Sequence, residues 1–144
     1  PGVPIAQGTT IESATLEVVI KTDPAPSGTV WGRWYGDDKD DGPAWSSGSN
    51  PYNHVTNTTA YTQVSKGAGT SGAVVSHDVT DIVQELLDRE GWISGNAMRF
   101  AAKTDAGTNG LVVFYDYSSD PTKSAKLIIN YTPVVEEGRF FPFF

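Results

Sequence analysis

Apolar residues recur at every second position along most of this chain, and clusters of Gly, Pro, Asp and Ser punctuate the runs. In TIESATLEVVIKT, Ala14, Leu16, Val18 and Ile20 share one face, while Glu12, Ser13, Thr15, Glu17 and Lys21 supply most of the polar positions. Side chains alternate across a strand, so this run predicts a long strand with one buried face, ended by DPAPSG. TVWGRWYG sets Val30 and Trp34 on one face and Trp31, Arg33 and Tyr35 on the other, which predicts a strand packed on both sides. A long irregular loop, DDKDDGPAWSSGSNPYN, follows it. TAYTQVS, GAVVSHDV, AMRFAAKT, GLVVFYDYS and AKLIINYT complete a set of about seven strands. Strands bounded by turns at this spacing predict an all-β fold, an antiparallel sandwich or barrel. Leu16, Val18, Val83, Leu86, Phe100, Val113, Leu127 and Ile129 are its expected core.

One segment departs from the period of two. In DVTDIVQELLDREGW, Val79, Ile82, Val83, Leu86 and Leu87 recur at spacings of three and four. The pattern predicts one short amphipathic helix over about residues 79–89, with Asp78 capping its first turn and Gly91 ending its last. Set between strands, such a helix is expected to plug one end of the core.

Composition narrows the partners. At 144 residues, 38% of them hydrophobic, the chain suits a single domain able to bury its own core. The net charge is −7 and the Lys and Arg residues are scattered, so there is no basic footprint for nucleic acid or anionic lipid. No apolar run approaches the roughly 18 residues of a membrane-spanning helix. The chain opens at Pro1 without a methionine or a charged-then-apolar leader, as expected where a secretion signal has been removed. With no cysteine, disulfides, thiolate metal sites and a Cys nucleophile are excluded. Asn57 in NTT and Asn130 in NYT are glycosylation candidates in an exported protein.

Candidate chemistry is sparse. His54 and His77 are the two side chains suited to act as bases near neutral pH, and neither belongs to a G-x-S-x-G or H-E-x-x-H constellation. The expectation is no enzyme, with His77 as a structural hydrogen-bonding residue. Asp37, Asp38, Asp40 and Asp41 place four carboxylates within five residues, and calcium is bound by several oxygens of a flexible loop. Lys39, however, stands where an EF-hand has its second ligand, and no glutamate closes the loop. The run reads by default as a solvated acidic turn, with calcium the one cofactor to weigh. Aromatic side chains raise a further class, because sugar rings stack an apolar face on Trp and Tyr. Trp34 is assigned to the core, leaving Trp31, Trp45 and Tyr52 as the expected platform if the chain binds glycans.

Several motifs occur together in order: IAQGTTIESATLEV, an aromatic strand ending in GDDKDD, then SHDVTDIVQELLDREGWISGNAMRF, and finally YDYSSDPTKSAKLIINY. In this order they resemble the DNRLRE-type domains, jelly-roll-like β-sandwiches of secreted bacterial and archaeal surface proteins and phage virion proteins, similar to some carbohydrate-binding modules. The resemblance covers about residues 4–132. It implies an antiparallel jelly-roll-like sandwich over residues 1–132 and an extracellular or cell-surface location. Members of the group usually carry a further strand ahead of the region matched by IAQGTTI, where this chain has PGVPIAQ, so a sandwich strand is expected to be missing.

The chain continues past the resemblance with residues 133–144, PVVEEGRFFPFF. Val134, Val135, Phe140, Phe141, Phe143 and Phe144 make this extension strongly apolar, and exposed apolar clusters mark contact surfaces. One absent strand and one surplus apolar segment are the two requirements of donor-strand assembly. The expected function is a structural subunit of an extracellular filament, polymerising head to tail with other copies of itself through this segment. The alternatives are a carbohydrate-binding module of a larger secreted protein and a phage virion decoration or tail component.

Overall fold

The computed structural model describes residues 2–22, 30–44, 51–66, 70–104 and 113–133, with backbone alone at 30, 31, 51, 52, 65, 66 and 104. Seven strands and two α-helices occur among them, in the order β1 (Ile11–Thr22), β2 (Val30–Asp37), α1 (Pro51–His54), β3 (Asn57–Lys66), β4 (Val74–Asp78), α2 (Thr80–Leu87), β5 (Phe100–Thr104), β6 (Val113–Phe114) and β7 (Lys126–Tyr131). They form two antiparallel sheets. In the first, β1 is central: β4 lies along one edge, β7 pairs with its first half, and β6 pairs with Ile20 and Thr22 at its end. In the second, β2 lies between β3 and β5.

The alternation in β1 has the predicted consequence. Ala14, Leu16, Val18 and Ile20 are all buried, and the first three share one core with Trp34 of the second sheet. Trp34 packs at 5.6 Å from the ring of His77 on β4 and at 6.3 Å from Phe114 on β6, so the two sheets meet face to face across it. Val113 corrects the expected core. It is exposed, because alternation in the two-residue strand β6 turns Phe114 inward and Val113 out.

Helix α2 closes the side of the fold where β4 and β3 form the sheet edges. Its apolar face is wholly buried through Ile82, Val83, Leu86 and Leu87. Gly36 of β2 makes room for it: a Cβ there would lie 2.9 Å from Ile82 Cγ2 and 3.0 Å from Leu86 Cδ1. The polar face of the helix satisfies strand-edge backbone groups that would otherwise lack partners. Gln84 accepts from Ile11 N–H and donates to Thr9 O, Thr80 Oγ1 accepts from Ala14 N–H, and Glu85 accepts from the N–H groups of Thr59 and Ala60 at 2.7 Å each.

The helix is shorter than its sequence pattern predicts. Val79, not Asp78, holds the N-cap position, without a side-chain cap bond; Asp78, one residue earlier, accepts from Thr80 N–H at 3.0 Å, and the chain leaves the helix at Asp88 and not at Gly91. Gly91 serves a close approach instead, since a Cβ there would lie 2.0 Å from Asp40 Oδ2. A second correction is α1, a single helical turn inside the stretch read as irregular loop.

Candidate functional site

With α2 closing one side, the opposite side of the fold is bordered by β7 and β5. Each of these strands pairs with a single neighbour among the described residues. Between them lies a cleft of about 560 Å³. Its walls are the inward side chains Leu127, Ile129 and Tyr131 of β7, together with Met98 and Phe100. The segment from Gly2 to Ile5 forms the remaining wall, held by Val3 N–H to Asn96 O at 2.8 Å and by Trp92 Nε1 to Ile5 O at 2.9 Å. Phe100, Leu127 and Ile129, expected in the core, pack against it and are partly buried. The cleft is thus an apolar surface that no strand among the described residues covers. Its size falls within the range of about 300–1,000 Å³ of ordinary binding sites.

The acidic run takes an unexpected form. Asp37 ends β2 and is only 1% exposed, where its carboxylate meets the Arg99 guanidinium and accepts from Thr56 N–H at 3.0 Å. Arg99 also donates to His54 O at 2.7 Å and to Pro43 O at 3.3 Å. Arg89 donates to both Asp38 and Asp40, and its pKa is raised above the ordinary guanidinium value first by the hydrogen bond it donates to Asp40 and further by the charge of Asp38. Asp41 accepts from Ala97 N–H at 2.8 Å. The four carboxylates therefore strap the loop onto the segment between α2 and β5. Among the described residues no group of three His, Cys, Asp or Glu side chains could hold a metal ion. No motif marks Arg89 or Arg99; the available signal is a single Arg between Met98 and Phe100 in a short apolar run just ahead of β5.

The remaining sequence candidates are dispersed. His77 is buried in the core beside Trp34, and desolvation lowers its pKa below the ordinary imidazole value. His54 is exposed at the end of α1. Trp45 lies outside the described residues, and the side chains of Trp31 and Tyr52 do too. The outward face of the second sheet instead presents Tyr61 and Tyr35 with ring centroids 5.9 Å apart, and the Arg33 guanidinium lies 4.7 Å from the Tyr61 ring. Both sequon asparagines are exposed. Asn57 opens β3 and accepts from Lys103, and Asn130 on β7 donates to Ser13 Oγ at 2.8 Å.

Val134, Val135, Phe140, Phe141, Phe143 and Phe144 also lie outside the described residues, which reach Pro133 just beyond the end of β7. No helix among the described residues is long and apolar enough to cross a membrane. No family model matches the chain, and neither a characterised protein nor a solved structure is significantly similar to it.

Proposed function

We propose that the chain is a non-enzymatic structural subunit, a jelly-roll-like sandwich of the DNRLRE type, that assembles extracellularly into a filament or surface array. The C-terminal segment of one copy docks into the β5–β7 cleft of the next. The observation that carries this reading is the open apolar cleft beside strands that each lack a second described neighbour.

The chemistry of the segment suits the cleft. Residues 134–144 extend to roughly 36 Å at about 3.3 Å per residue, longer than the about 17–20 Å of an ordinary strand. Burying four Phe side chains at about 1.5–3 kcal/mol each supplies about 6–12 kcal/mol before the cost of ordering the segment. Val134 to Glu137 suit backbone pairing along a strand edge. Pro142 has no N–H to donate, so it fits an edge or a plug and not a central strand. We therefore assign FFPFF as the anchor in the apolar cleft.

The segment is long enough to fold back on its own copy or to reach a neighbour, and docking in the neighbour is the reading taken here. A head-to-tail contact propagates into a filament when its rotation does not close a ring, and the filament is the outcome assigned here. The test is deletion of residues 138–144, read by analytical ultracentrifugation and negative-stain electron microscopy. The full chain is expected to form linear oligomers, and the shortened chain a folded monomer that the peptide of residues 134–144 binds. Filaments that persist after the deletion, or a full chain that is monomeric and unfolds when shortened, would refute the assignment.

A further inference from the structure

A second hollow, of about 280 Å³, lies at the edge of β3 where it meets the end of β4 and the first turn of α2. It is on the side of the fold closed by α2, away from the β5–β7 cleft, and nothing in the assembly reading uses it. Tyr61, Thr62, Gln63, Asp78, Thr80 and Asp81 line it. Three features of this lining bear on what it takes.

The first is an aromatic side chain left half in solvent: Tyr61 is 50% exposed. Its ring is held in place by the Arg33 guanidinium at 4.7 Å and by Tyr35 at 5.9 Å, so it is pre-positioned and little ordering remains to be done on contact. The second is fixed acceptors. The Asp78 carboxylate accepts from both the N–H and the hydroxyl of Thr80, and those hydrogen bonds hold it below the usual carboxylate range, so it stays charged. Thr62 in turn donates to Asp78 O, which ties β3 to the end of β4 across the hollow. The third is the sign of the charge. Asp78 and Asp81 are carboxylates in a chain of net charge −7, which disfavours phosphate, sulfate and uronate groups.

A ligand that matches needs hydroxyl or amino donors on one edge for Asp78, Asp81 and Gln63, and a C–H face for the tyrosine. Pyranose sugars have both. The hollow is small, so it accommodates a sugar unit and not a long stretch of chain. We propose that Tyr61, Gln63, Asp78 and Asp81 form a subsite for one neutral or amino-bearing pyranose residue of a glycan. The subsite uses none of Trp31, Trp45 and Tyr52, the platform expected from the sequence.

The experiment titrates cellotriose, the glucosamine trimer and trigalacturonate into the full chain, followed by isothermal calorimetry and by NMR shifts of the Tyr61 and Gln63 amides. Cellotriose or the glucosamine trimer is expected to bind saturably, with trigalacturonate at least about tenfold weaker. Tyr61→Ala and Asp81→Asn should each weaken binding by about tenfold, and Tyr61→Phe by much less, because the ring and not its hydroxyl supplies the contact. Melting curves of the variants establish that they fold. The proposal is overturned if neither neutral nor amino trimer saturates by about 10 mM, if Tyr61→Ala leaves the affinity within about twofold, or if trigalacturonate binds as tightly as the others. These outcomes leave the assembly reading untouched, since they probe the opposite side of the fold.

Discussion

Replacing Arg99 by Met tests whether the acidic run is a structural strap. Methionine keeps much of the aliphatic bulk of the arginine stem and removes the guanidinium. Asp37 would then be a carboxylate 1% exposed, left with the Thr56 N–H as its remaining close donor and with Lys39 Nζ 3.8 Å away. Breaking a buried ion pair by removing one partner costs about 3–5 kcal/mol, far more than the pair itself contributes relative to a well-packed apolar substitute. Lys39 is 45% exposed on its side chain, so its charge offsets part of that loss and places the expected cost near the lower bound, about 3 kcal/mol. For a domain of this size, at about 2–4 °C per kcal/mol, the melting temperature should fall by about 6–12 °C. Urea denaturation followed by circular dichroism should show a lower midpoint with an unchanged slope. The double replacement Asp37→Leu with Arg99→Met removes both charges and should be more stable than Arg99→Met alone. If Arg99→Met stays within about 1 kcal/mol of the parent, or if the double variant shows the sum of the two single losses, the ion pair does not hold the loop as argued.

Two further outcomes follow from the same structure. The pKa of His77 is lowered by desolvation, so the folded state favours the neutral ring; stability should be full above the unfolded pKa of about 6.5 and fall as pH drops below it, by at most about 1.4 kcal/mol per pH unit. Its Nε2 is buried without a hydrogen-bond partner among the described residues, so His77→Leu should abolish that dependence at little cost; an unaltered pH profile in this variant would contradict the argument. Chelation with EDTA should leave the melting temperature essentially unchanged, since Asp37, Asp38, Asp40 and Asp41 are already engaged by protein partners. A fall of many degrees on chelation, reproduced by Asp38→Asn with Asp40→Asn, would instead place a cation in that loop.

Where the sequence succeeded, the signal was local. The period of two in β1 placed Ala14, Leu16, Val18 and Ile20 on the buried face, and the spacing of three and four placed Ile82, Val83, Leu86 and Leu87 on the buried face of α2. Both patterns follow from backbone geometry alone, which sets which neighbouring side chains share a face. The end of α2 was less legible, because Gly91 looks like a helix stop while its actual constraint comes from Asp40, far away in the chain. Val113 was misplaced for a related reason: in an apolar run such as LVVF no alternation is visible, and only pairing with β1 decides which residue turns inward.

The sequence by itself determined the all-β class, the single main helix and most of the core, because these depend on periodicity and turn chemistry within a few residues. Only the tertiary structure decided what the polar and half-buried groups do. The acidic run reads as solvent-facing until Arg89 and Arg99 are brought to it from about fifty to sixty residues along the chain. Phe100, Leu127 and Ile129 read as interior, and the arrangement of the sheets sets them against the core, partly buried, along the wall of a cleft. Burial and charge pairing are properties of what lies opposite a side chain, and for these residues the opposite group comes from a distant strand or loop whose placement no local pattern encodes.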